Sequence, residues 1–170
     1  MNWKIMVLSL ALVQGPYAHA ASVSPAAAHS WKVKRNSQTI YSGHVGPHRL
    51  RISVRTFALE GTLRPGAPGH FAQCTTAPRW CDLTAEINVT LDGRPLFLPR
   101  NAYADLGDLT EMSARFAGDD LILTARGGDA AESYIAKLQF DSRRLVVRRL
   151  YSGEDPYHPV EVSQYLIVRG

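Results

Sequence analysis

Residues 49–56 read Arg49-Leu50-Arg51-Ile52-Ser53-Val54-Arg55-Thr56. Leu50, Ile52, Val54 and Thr56 fall on one side of this run, and Arg49, Arg51, Ser53 and Arg55 on the other. An extended chain sends successive side chains to opposite faces. A period of two held this long therefore marks a half-buried strand, the kind found in antiparallel sheets with one face in water.

The same period recurs down the chain. Leu83, Ala85, Ile87, Val89 and Leu91 form a second apolar row, with Thr84, Glu86, Asn88 and Thr90 facing away. Asp92-Gly93 follows at once, a pair suited to the positive φ angles of a two-residue hairpin turn. Residues 94–99 then return as a strand whose prolines assign it to a sheet edge, because proline cannot donate to a ladder. Met112, Ala114 and Phe116 continue the alternation up to Gly118-Asp119-Asp120. Residues 121–126 end at Gly127-Gly128-Asp129. Tyr134, Ala136, Leu138 and Phe140 share one face of the next strand. In 145–151 the adjacent Val146 and Val147 predict burial on both faces or a bulge. Residues 160–168 close the chain, and 31–33 and 39–42 add strands upstream. Short strands separated by frequent turn signals predict an all-β fold: an antiparallel β-sandwich or flattened barrel of about eight to nine strands.

Two segments break the pattern. Residues 60–79 contain Pro65, Gly66, Pro68, Gly69 and Pro78 and read as a long loop, a class that is often functional. In 99–109, Asp108 followed by Glu111 has capping-box spacing, so one short helical turn is expected near residues 101–111.

The N-terminus has a different character. Met1-Asn2-Trp3-Lys4 carries one positive charge, residues 5–13 are apolar except for Ser9, and Ala18-His19-Ala20 supplies small residues. This is the layout of an export signal cleaved after Ala20. The apolar run is half of the roughly 20 residues a spanning helix needs. Residues 21–30 read as a flexible lead-in, and 31–170 as a single β domain with no membrane span after cleavage. The expected location is periplasmic or secreted. Removing Lys4 takes the formal charge from +4 to +3, and 15 arginines stand against 4 lysines. In an oxidising compartment Cys74 and Cys81 are expected to pair. Closing that loop would contribute about 2–2.5 kcal/mol in the chain-entropy account.

The sequence offers little catalytic chemistry. No Gly-x-Ser-x-Gly elbow is present. His44 and His48 are separated by Gly46-Pro47, which rules out two metal ligands on one helix face. The Cys-x6-Cys spacing is neither a zinc nor a redox pattern. No metal, cofactor or nucleic-acid partner is expected. The expectation is a non-catalytic binding protein whose partner is an unknown protein or an anionic envelope component. Tyr103, Asp105 and Asp108 in the second irregular segment are the first candidate binding residues. Asp129 and Glu132 in the following turn, and Arg79-Trp80 at the tip of the cysteine loop, come next, because exposed Trp, Tyr and Arg often dominate binding energy. The competing reading for Tyr103 and Trp80 is that they plug the ends of the sandwich. A basic stripe of Arg49, Arg51 and Arg55, with Arg144 and Arg148 on another strand, would suit an anionic partner unless it pairs with Glu86 and its neighbours. Two alternatives remain: a periplasmic inhibitor or immunity factor acting on a hydrolase or toxin, and an envelope-polymer hydrolase using Asp105 and Asp108.

Overall fold

The computed structural model describes residues 28–60 and 80–166. Within them the chain forms ten strands: β1 (His29–Lys32), β2 (Gln38–Val45), β3 (His48–Glu60), β4 (Trp80–Leu91), β5 (Arg94–Leu96), β6 (Leu109–Ala117), β7 (Asp120–Gly127), β8 (Tyr134–Phe140), β9 (Leu145–Ser152) and β10 (Pro159–Gln164). They build two antiparallel sheets, one ordered β1-β6-β7-β8-β9-β10 and the other β2-β3-β4-β5. The architecture is a β-sandwich, and the sheets do not close into a barrel. The expected signal segment, Cys74, Arg79 and all of the expected 60–79 loop except Glu60, which ends β3, lie outside the described residues.

The inward faces follow the period of two. Leu50, Ile52 and Val54 on β3 and Leu138 and Phe140 on β8 have no exposed surface. One apolar cluster draws on both sheets and contains all of these residues. The Asp92-Gly93 turn has φ of 49° and 79°, the mirror-image turn its sequence requires. β5 does lie at an edge. At the opposite edge, Trp31 of β1 stacks on Tyr41 of β2 with centroids 4.3 Å apart, joining the two sheets along that side.

Two departures from the sequence reading have local causes. Arg55 pairs with Glu86 but Thr56 pairs with Thr84, so Ala85 is an extra residue in β4. This bulge reverses the alternation. Thr84 therefore faces inward, 3% exposed, and its hydroxyl donates to the Leu106 carbonyl at 2.6 Å. In β9 the adjacent valines mark a bulge, one of the two outcomes their sequence allowed: Gln139 pairs with Val147 and Phe140 with Leu145, leaving Val146 over. The helical turn is a single 3-10 turn at Arg100–Ala102. Asp108 and Glu111 do not form a capping box there: Asp108 has φ of 45°, and Glu111 sits in β6 bonded to Lys32 at 2.6 Å.

The sheets differ by two strands, and residues 97–108 occupy the shortfall. Ala102, Tyr103 and Leu106 of this segment belong to the core cluster. It is anchored to β9 by Phe97 N–H donating to Arg143 O and Leu145 N–H donating to Phe97 O, both at 2.8 Å.

Candidate functional site

The structure gathers most of the sequence-selected residues at one end of the sandwich, around Tyr134. Its hydroxyl is buried and donates to the Gly107 carbonyl at 2.9 Å. Burial pushes the phenol well above its ordinary pKa, and the nearby Asp105 and Asp108 charges push the same way. Gly127 packs against this hydroxyl. A Cβ there would collide with the hydroxyl and lie 2.7 Å from the Asp108 carbonyl, so the position has room only for glycine.

Asp108 closes the loop onto β4. Its N–H donates to Asp82 O at 2.7 Å, and its Oδ1 accepts the Asp82 N–H at 3.0 Å. Arg35 spans both acids, with Nε 2.6 Å from Asp82 Oδ2 and Nη2 3.0 Å from Asp108 Oδ1. The bond to Asp82 is the main reason that the Arg35 pKa is raised. Asp82 is itself buried, so this guanidinium neutralises a carboxylate removed from water.

Asp105 belongs to a second ion cluster. Arg148 pairs directly with Leu138 across the strands, which puts it on the core face of the sheet and not among the outward arginines. Its side chain is 3% exposed. Nη2 donates to Asp105 Oδ2 at 2.5 Å and Nη1 to Glu161 Oε1 at 2.7 Å. Arg148 Nε and Asp105 Oδ1 are buried without a partner among the described residues. Glu161 is held below its ordinary pKa, first by the Ser163 hydroxyl and then by Arg148.

Tyr103 is 7% exposed and packs in the core, the plug that formed its competing reading. Asp129 is exposed and precedes the 3-10 turn Ala130–Glu132, and Glu132 is half-buried within that turn. Trp80 opens β4, while its neighbour Arg79 lies outside the described residues. Cys81 is buried at the start of β4, and its expected partner Cys74 is likewise outside them. Sequence reasoning missed Arg35, Asp82, Tyr134 and Glu161. Arg35 and Asp82 carry no motif; the apolar spacing of Ala102, Tyr103, Leu106 and Leu109 is the signal that would have placed the intervening segment against the core. At this end Asp108 Oδ1 is occupied by Arg35 and the Asp82 N–H, and Asp105 Oδ2 by Arg148.

Neither a family model, nor a curated protein, nor a solved structure is similar to the chain. Among the described residues no group of three His, Cys, Asp or Glu side chains could hold a metal ion. His48 is engaged by Asp92 at 2.7 Å, and that bond is the chief cause of the lowered Asp92 pKa.

The outer face of the four-stranded sheet has another character. The register places Gln38, Arg55 and Glu86 in one row, Ile40, Ser53 and Asn88 in the next, Ser42, Arg51 and Thr90 in a third, and His44 beside Arg49 at the end. Glu86 is the one carboxylate in these rows, 3.5 Å from Arg55. Arg51 reaches the Ser42 hydroxyl at 3.4 Å. Arg49 has no side-chain partner among the described residues. A shallow notch of about 200 Å³ lies between Arg49 and Arg51, bordered by Ser42 and Thr90.

Proposed function

We propose that this is an exported, non-catalytic binding protein that recognises an anionic component of the cell envelope through the outer face of its four-stranded sheet. The observation that carries this reading is the notch between Arg49 and Arg51. Two guanidiniums and two hydroxyls border it, and Glu86, the one carboxylate in the rows described above, is already committed to Arg55. Guanidinium groups bind carboxylate and phosphate oxygens in a planar, two-bond geometry. Mounting them on a paired strand holds them apart at little entropic cost. The export layout of residues 1–20 and the expected Cys74–Cys81 bond support an envelope location.

Titration with dextran sulfate, and with neutral dextran beside it, tests the reading. The expected result is saturable binding to the sulfated polymer alone, weakened by added salt as exposed charges are screened. Arg49→Ala with Arg51→Ala should lower the affinity at least tenfold. Equal binding by that double variant and the wild type would end the proposal. The inhibitor alternative draws on the 61–79 loop, and a stoichiometric complex with an envelope hydrolase would favour it. The hydrolase alternative requires glycan-cleaving activity that Asp105→Ala or Asp108→Ala removes.

A further inference from the structure

A groove of about 540 Å³ runs where two chain segments flank the start of β9. On one side Phe97 bonds to Arg143 and Leu145; on the other, Tyr165 N–H donates to Val146 O at 3.0 Å. Leu145 is buried and forms the floor. Phe97 and Leu166, 66% and 80% exposed, form the walls and present apolar surface to water. Large exposed side chains lining one concavity mark a binding groove more often than scattered surface residues do.

The charge at this groove has one sign. Arg144 is anchored, its Nη1 donating to Tyr165 O at 2.7 Å, with Asp141 at 3.9 Å. Arg143 is exposed, and its guanidinium has no partner among the described residues. Among the described residues no carboxylate lines the groove. An apolar floor with an unpaired guanidinium at its border is complementary to a molecule with an apolar tail and an anionic head.

We infer that the groove binds a single-chain anionic amphiphile, a free fatty acid. The groove has room for a chain of about ten carbons. At about 30 Å³ per heavy atom, the share of a liquid water molecule, decanoate fills roughly 360 Å³. The carboxylate pairs with Arg143 in a two-bond fork, and the chain lies on Leu145 between Phe97 and Leu166. This site shares no residue with the arginine face of the other sheet, so either can fail alone.

Calorimetric titration of the full mature chain with decanoate, decanol and decyltrimethylammonium tests the inference. Decanoate should bind one to one below its micelle concentration, and the neutral and cationic analogues at least tenfold more weakly. Arg143→Ala should remove the preference for decanoate over decanol. Leu166→Asp should abolish binding, and Arg115→Ala, which removes the same charge from another surface, should leave it unchanged. Three results would each overturn the inference: equal binding of decanol and decanoate by the wild type, an undiminished preference in Arg143→Ala, or binding to phosphatidylglycerol vesicles with none to monomeric decanoate.

Discussion

Replacing Arg148 probes how a charged side chain came to sit between the sheets. Arg148→Ala removes two buried methylenes, about 1.6 kcal/mol at about 0.8 each. It also removes two charge-assisted hydrogen bonds, to Asp105 and Glu161. Those acceptors are 40% and 46% exposed, so water can replace the lost donors. The lower end of the usual range therefore applies, about 1.5 kcal/mol per bond. In the opposite direction, the variant no longer buries a guanidinium with an unpartnered Nε, a relief of about 2 kcal/mol. The net loss is about 2.6 kcal/mol for alanine, and about 1 kcal/mol for Arg148→Met, which refills the space. Urea unfolding followed by tryptophan fluorescence reads both. With a slope of about 2 kcal/mol/M, the alanine midpoint should fall by about 1.3 M and the methionine midpoint by about 0.5 M, with the slope unchanged. The pH dependence follows from Glu161. Its folded pKa is depressed, so its contribution is complete above the unfolded value of about 4.3 and fades as pH falls through the lowered folded value. The gap between wild type and Arg148→Met should narrow over that acidic range. Methionine proving more damaging than alanine, or a gap that widens in acid, would refute the reasoning.

Other perturbations test the opposite end of the loop. Gly127→Ala must displace the Asp108 carbonyl and the Tyr134 hydroxyl, and should cost about 1–3 kcal/mol in the same unfolding assay. Tyr134→Phe leaves the buried Gly107 carbonyl without its donor, a loss of about 1–3 kcal/mol; in wild type, spectrophotometric titration should show one tyrosine that ionises only on unfolding. Arg35→Ala strips the buried Asp82 carboxylate of its counter-ion and should cost about 3 kcal/mol. Arg35→Ala with Asp82→Asn should recover part of that loss.

Much of the fold was legible because one face of each central strand is dry. The alternation in 49–56 and the 134–140 row locate inward residues directly, and Asp92-Gly93 names its own turn. Thr84 was misplaced because a bulge adds one residue without a compositional mark, and every side chain beyond it changes face. Arg148 was misread for another reason. A strand arginine is normally in water, and only the partners supplied by a loop and an edge strand make its burial tolerable. The candidate site was legible as a neighbourhood: Asp105, Asp108 and the turn after Gly127 do converge. Its internal bonding was not, since Arg35 reaches Asp82 and Asp108 across 47 and 73 residues of sequence. The notch between Arg49 and Arg51 depends on β2 and β4 lying in register beside β3, which no single strand reveals.

The pairing of β1 with β6 bears on the order of assembly. Lys32 and Glu111, paired in that ladder, are separated by 79 positions. A chain released from its amino end therefore presents β1 first and its partner much later. Contacts that distant form slowly, so the four-stranded sheet and the β6–β9 meander can be in place before the first strand has anything to join. Amide hydrogens of His29–Lys32 should exchange with solvent ahead of those in β3 and β4, marking the earliest segment made as the latest to be fixed.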